Sequence, residues 1–363
     1  MNHEVVYQWT ETIARNLKCL NTWQIPNLAL FSYGAALARS SRQIDIALAV
    51  FCGEKVASAI KRLQRFIYNE KWLNDEFFIQ WSRLILSILP SGRAFLLVDE
   101  TKLSDKYGVM VIGVAFENRC IPLVWQCYKA NSSKDYPREG QVEMIVGMLR
   151  LIQQAMPDGK RATVMADRGI GVSSNLYRKV NKMGSRLLFR INKQCKMVVD
   201  GEELLIYDQV KRGGEWAASG DVFKGDAKVP AHVRNIWLSK YKEPWLLLTN
   251  DKQLSGHEYA KRNHQEQSFR DLKSGGFRWE SSRVKCPQPM RRLVALLALA
   301  YAWMISLGCH AVEQGCASPL IGKGKKKRRK WSLFLEGLVY FFEYVDRKGL
   351  WFPFALFADK RFT

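Results

Sequence analysis

Over residues 1–88 apolar side chains recur at three- and four-residue spacing with very little Gly or Pro, a pattern that predicts amphipathic helices. The texture changes at Leu89-Pro90-Ser91-Gly92. Beyond it, the runs RAFLLV (93–98), YGVMVIGVAF (107–116) and CIPLVWQCY (120–128) are short, β-branched or aromatic, and separated by turn residues, which predicts three successive strands. A helix over 138–156, a strand over 162–166, a helix over 173–183 and a strand over 186–191 follow. Three neighbouring strands and then strand–helix alternation predict an α/β fold: a mixed sheet with helices on its faces. Residues 192–252 lose the helical period and carry Gly201, Gly213, Gly214, Gly220 and Gly225 between short apolar runs, so they read as a β-rich insertion. A polar helix over 259–273 and an apolar helix over 290–310 come next, then a basic tract and a final amphipathic helix. The chain thus divides into helical 1–88, a sheet region 89–191, the insertion 192–252, a second helical part of the core 253–315, and a C-terminal region 316–363.

Composition adds a partner class. Lys and Arg number 56 against 34 Asp and Glu, a net charge of +22, which points to a polyanion, nucleic acid before an anionic membrane surface. Within the N-terminal helices Lys55, Lys61, Arg62 and Arg65 interleave with apolar residues and form a face suited to a phosphate backbone. The tract GKGKKKRRK (322–330) holds seven cations in nine residues and suits phosphate equally. The N-terminal stretch lacks the cationic start and apolar core of a signal peptide, so a cytoplasmic location is expected. The uncharged run 293–309 is shorter than the roughly 20 residues a membrane span needs, and is expected to be a buried core helix. Eight Cys without a CxxC pair predict reduced thiols rather than a zinc site or disulfide framework.

The stretch 259–273 reads YAKRNHQEQSFRDLK. As one helix it gathers Tyr259, Arg262, Glu266 and Lys273 within an arc of roughly 60°. A solvated polar helix would look the same, but two acids elsewhere give this face partners. Asp99 follows FLLV, placing it at the end of the first strand, and Asp167 follows ATVMA at the end of the fourth. Active groups of open α/β sheets gather beyond the carboxyl ends of strands. Position alone also allows Glu100 or Asp105 in place of Asp99. Three carboxylates without His or Cys make a hard-cation site for Mg²⁺ or Mn²⁺. Two such ions roughly 4 Å apart serve phosphoryl transfer.

The spacing Tyr–x2–Arg–x3–Glu–x6–Lys, with VDETK at Asp99 and ADRGIG at Asp167, resembles the signature of the DDE transposases of the insertion-sequence-four group, which includes cut-and-paste elements that move through hairpin-ended DNA. The flanking EPWLLLTN and SFRDLKSGG resemble the same region. The resemblance implies a ribonuclease-H-like core of three antiparallel strands followed by two parallel ones, interrupted by the β-rich insertion. It implies a catalytic triad of Asp99, Asp167 and Glu266 holding two Mg²⁺, with Tyr259, Arg262 and Lys273 on phosphates and the neighbouring cations Arg168 and Arg270 in the same set. An insertion Trp that stacks on a flipped base is placed at Trp237, with Trp216 and Trp245 as rivals. Asn263 stands where many relatives carry an aromatic or apolar residue. The implied activity is binding of terminal inverted repeats, cleavage of the ends and joining of 3′-hydroxyls to target DNA, by a dimer on paired ends. A related nuclease without joining, or a DNA-binding protein without catalysis, are the alternatives.

Overall fold

The structure, a computed structural model, describes the chain except residues 51–54, 91, 104, 131–135, 137–138, 322–327 and 358–363. Five helices open it: α1 (His3–Asn16), α2 (Gln24–Ala38), α3 (Gln43–Ala49), α4 (Val56–Tyr68) and α5 (Asp75–Ser87). Asn2 and Asn74 start α1 and α5 by accepting the backbone N–H groups of Val5 and Phe77, which frees no side chain from the core. Of the predicted basic face on α4, Lys61 and Arg65 are exposed, but Arg62 turns inward and donates from Nε to Asn27 Oδ1 at 2.7 Å.

The sheet begins with β1 (Arg93–Leu103), β2 (Tyr107–Phe116) and β3 (Arg119–Lys129), a continuous antiparallel meander. The helix α6 (Gly140–Ala155) leads to β4 (Arg161–Ala166), and the short α7 (Arg168–Gly171) and α8 (Ser174–Lys182) lead to β5 (Arg186–Arg190). Both β4 and β5 run parallel to β1. The strands are buried on both faces, as parallel strands covered by helices must be, so their sequences read as unbroken apolar runs.

The stretch 192–252 is β-rich as predicted, with β6 (Lys196–Val199), β7 (Glu202–Leu205), β8 (Glu215–Val222), β9 (Val229–Ile236) and β10 (Trp245–Thr249). Its strands do not form a separate sheet. β10 pairs antiparallel with β5, so all ten strands make one sheet in the order β3-β2-β1-β4-β5-β10-β9-β8-β6-β7. The cause lies in the run WLLLT, which is buried throughout and pairs on both edges, with β5 on one side and β9 on the other.

After α9 (Asn263–Arg270) the chain enters α10 (Pro287–Glu313), which has Pro at its first turn and is buried along its apolar length. It is the one helix among the described residues long and apolar enough to cross a membrane, and its apolar window is wholly buried inside the chain. Trp303 on α10 stacks on Trp9 of α1 at 4.6 Å, and α11 (Leu333–Tyr340) packs against the other flank. There Gly337 and Gly308 let the two backbones touch, since a Cβ on Gly337 would lie 1.7 Å from the Met304 carbonyl oxygen. The basic tract lies mostly outside the described residues. Its Arg328–Arg329 backbone forms β12, paired with β11 (Leu320–Ile321).

Candidate active site

Asp99 is not at the end of β1, as the sequence suggested, but inside it, opposite Val111 of β2. The hairpin ladder carries β1 on to Leu103, whereas the parallel ladder with β4 stops at Val98↔Ala166. The next residue on each strand is an acid, Asp99 on one and Asp167 on the other, so the end of the parallel pairing sets the two carboxylates side by side. Asp167 keeps the cap role an Asp after a strand usually has: its Oδ1 accepts the N–H groups of Gly169 and Ile170 at 3.0 and 3.2 Å. Its Oδ2 is left to face the site.

The third acid arrives on a broken helix. Residues 259–273 are three pieces, a 3-10 turn over His257–Arg262, α9, and a wide π turn over Asp271–Gly275. A tight turn and a wide turn rotate residues by different amounts, so the single polar face does not survive intact. Arg262 and Glu266 still share a face one turn apart, and Tyr259 stays beside them. Lys273 leaves helical geometry, with φ −85° and ψ −114°, and its Nζ donates to the Lys102 carbonyl at 2.7 Å and pairs with Glu280 at 3.4 Å. Arg270 is exposed at the end of α9.

The guanidinium of Arg262 stands between all three acids, with Nη2 2.8 Å from Asp99 and 3.5 Å from Asp167, and Nη1 3.9 Å from Glu266. The sequence reading gave Arg262 to phosphate; here it neutralises the carboxylates. Among the described residues no three His, Cys, Asp or Glu groups are clustered closely enough to hold a metal ion directly, and the guanidinium lies where their oxygens converge. The donor set is nonetheless three carboxylates facing one positive charge, the hard oxygen chemistry that fits a divalent cation. Burial pushes the Asp99 carboxyl up to about 6 against the pull of Arg262, and the nearby Asp167 and Glu266 charges push the same way as burial.

Arg262, Asp167, Tyr259 and Glu266 line a cleft of ≈ 540 Å³ with Arg168 and Arg190. Tyr259 is buried there, edge-on to Trp245 at 5.5 Å, and burial raises its phenol to about 12. Glu243 on the rim binds Arg190 at 2.6 Å, Lys193 at 3.2 Å and Arg168 at 3.6 Å. Burial works against its carboxylate, but the Lys193 hydrogen bond and the charges of Arg190, Arg168 and Lys193 outweigh it and hold the pKa below the usual range. Trp237, the sequence choice for base stacking, does not line this cleft. It packs 5.9 Å from Tyr207 and donates to the Tyr241 carbonyl, while the rival Trp245 reaches the cleft wall. The insertion's second rival, Trp216, sits on β8 among partly buried core residues.

Sequence reasoning missed the network that fixes α9. Arg119 of β3 pairs with Asp271, Tyr301 of α10 donates to Ser268 Oγ at 2.9 Å and to Asp271 at 3.3 Å, and the Cys120 N–H donates to Ser268 Oγ at 2.7 Å. Asp271 and Ser268 sit inside SFRDLK, where neither carries a local sign of the buried partners it meets from β3 and α10. Arg190 ends β5 and lines the cleft, but a cation after an apolar run reads the same as a solvated strand end.

Residues 111–303 match the family model described as Transposase DDE domain, a stretch that contains Asp167 and Glu266 and begins after Asp99. The comparison with curated proteins finds no match.

Proposed function

The chain belongs to the DDE-domain transposases, enzymes of the polynucleotidyl-transferase type that act on DNA, and from that premise we propose that it is a transposase of the insertion-sequence-four group that cuts and joins the ends of its own element. The observation that carries this reading is the convergence of Asp99, Asp167 and Glu266, from three distant segments, on the single guanidinium of Arg262. The strand order β3-β2-β1-β4-β5, three antiparallel and two parallel, supports a ribonuclease-H-like core.

In this reading the three acids hold Mg²⁺, with Mn²⁺ able to replace it. A divalent ion held there would supply Lewis-acid chemistry, which activates an attacking hydroxyl and offsets phosphate charge. The chain's own residues do the positioning. Asp167 is aimed by its cap to the α7 amides, Glu266 by the Ser268–Asp271–Tyr301 network, and Asp99 by its place in β1. Arg262, with Arg168 and Arg190, would meet the DNA backbone without reading its sequence. The net charge of +22 draws that backbone in. Two ends cut in one event call for two protomers, so the working form is a dimer on paired inverted repeats, in the cytoplasm with the nucleoid.

The test is cleavage and joining of end-containing DNA with Mg²⁺ by the parent and by Asp99→Asn, Asp167→Asn and Glu266→Gln. Each variant is expected to bind DNA and lose both reactions; one that still cuts removes its residue from the mechanism. Cutting by the parent with no joined product would favour a nuclease over a transposase.

A further inference from the structure

A second cleft, ≈ 330 Å³, opens where the end of the β1–β2 hairpin, the loop after α9 and the residue before α3 meet. Three cations from three separate segments line it: Arg42, Lys106 and Arg283. The acid in its wall, Glu280, is engaged by Lys273 at 3.4 Å, and Arg42 reaches Asp45 only at 3.9 Å. Among the described residues neither Lys106 nor Arg283 has a carboxylate at ion-pair distance.

Two donors at this cleft are buried without an acceptor among the described residues: the indole Nε1 of Trp279, whose side chain is 1% exposed, and Nε of Arg42. A buried N–H without a partner costs about 1–3 kcal/mol, so the site is built around something that accepts. The hydroxyl-bearing Ser281 and Ser282 add further polar lining. Surplus positive charge, donors without acceptors and one acid already engaged specify an anion with several acceptor oxygens.

The loop is held in that shape at a cost. Arg278 and Arg283 both have left-handed backbones, φ 50° and 58°, a conformation side chains other than Gly avoid. Ser41 Oγ donates to the Arg278 carbonyl at 2.8 Å and Tyr107 Oη to the Val284 carbonyl at 2.9 Å, which pins the loop at both ends. Leu103 lies in the cleft wall and Asp99 four residues earlier on the same strand. At about 3.3 Å per strand residue the cleft is about 13 Å from Asp99, within a few nucleotides' reach along a DNA backbone.

We propose that this cleft is a second phosphate site, in which Arg42, Lys106 and Arg283 grip one backbone phosphodiester of the DNA substrate a few nucleotides from the cut. The inference rests on the DNA-cutting function above and adds a place where the substrate's register is set, built jointly by the N-terminal helices and the catalytic sheet.

The experiment scans neutral methylphosphonates along end DNA, from two to six nucleotides on either side of the cut, and measures binding to the full chain. For the parent, one position in that window weakens binding about tenfold. In Arg283→Gly, a change that suits the left-handed backbone, the penalty at that position disappears while those elsewhere stay. Arg42→Gln gives the same loss independently. The slope of log affinity against log salt becomes shallower by about 1 for either variant. Identical footprints and slopes in parent and both variants overturn the second site. If that happens while the parent still cuts with Mg²⁺, the transposase reading stands alone; a parent that neither binds nor cuts end DNA removes both.

Discussion

Replacing Arg262 with Met removes the one cation that all three acids share. The pair with Asp99 dominates the effect: it is the shortest, at 2.8 Å, and both side chains are nearly buried, 10% and 12% exposed. Asp167 and Glu266 are 41% and 65% exposed, so solvent screens their shares and they add little. Breaking a buried pair by deleting one partner costs about 3–5 kcal/mol. The lower end applies, because Arg262 Nε and Nη1 are themselves buried without hydrogen-bond partners among the described residues, and Met relieves them. About 3 kcal/mol, over an unfolding entropy of about 2.1 cal/mol/K per residue for 363 residues, corresponds to a melting temperature lower by about 4 °C. The loss depends on pH. Asp99 has its folded-state pKa raised to about 6, so a stabilising contribution present at low pH is lost as pH rises through that value. Removing Arg262 pushes the carboxyl higher still and widens the window. Thermal unfolding by circular dichroism in a chelator is therefore expected to show a larger deficit at pH 8 than at pH 5, and Mn²⁺ is expected to stabilise the variant more than the parent. A deficit that is absent, or the same at both pH values and unaffected by Mn²⁺, refutes the reasoning.

Three further perturbations test other parts of the structure. His264 is held neutral, its pKa lowered to about 4 by burial and then by Lys261 and Arg119, so the stability it contributes above pH 6.5 is lost as pH falls toward 4; His264→Gln should flatten this acid limb by up to about 3 kcal/mol in denaturant titrations. Asp271→Asn keeps the shape of the α9 anchor but weakens its pairing with Arg119, and is expected to slow DNA cleavage about tenfold or more with little change in DNA affinity, read from single-turnover rates beside a gel shift. Gly337→Ala drives a methyl group to 1.7 Å from the Met304 carbonyl oxygen and should destabilise by about 3 kcal/mol, measured by thermal melting; an unchanged melting temperature would show that α10 and α11 do not pack as closely as described.

Much of the sheet could be read directly, because its strands are buried on both faces and appear as apolar runs bounded by turns. β2 spans 107–116 as predicted, and β3, β4 and β5 differ from their predicted bounds by a residue at one or both ends. The end of β1 was less legible: VDETKL is mixed in polarity, and only the ladder to β2, a nonlocal pairing, carries it to Leu103. For the same reason the insertion's content was visible but not its attachment, since nothing local in WLLLT says that β10 pairs with β5. Strand-end position pointed to Asp99 and Asp167, with Glu100 and Asp105 open beside the first, and the polar helix face pointed to Glu266, but their shared contact with Arg262 was not legible. A helical wheel assumes one pitch, and the chain uses three over 257–275, which turns Lys273 away and Arg262 inward. The positions of Trp237 and Trp245 relative to the cleft were not legible either, because a Trp in a β-rich run carries no local mark of the face it lines.

The most direct test of the metal-binding role of Asp99, Asp167 and Glu266 is cleavage of end DNA carrying sulfur in place of a nonbridging oxygen at the scissile phosphate. Mg²⁺ binds sulfur poorly and Mn²⁺ binds it better. Cleavage of the substituted DNA by the full chain is expected to fall at least tenfold with Mg²⁺ and to recover with Mn²⁺, and no ion should restore it in Asp167→Asn. Equal rates on both substrates with Mg²⁺, or cleavage that continues in a chelator, would contradict a metal site formed by these three carboxylates.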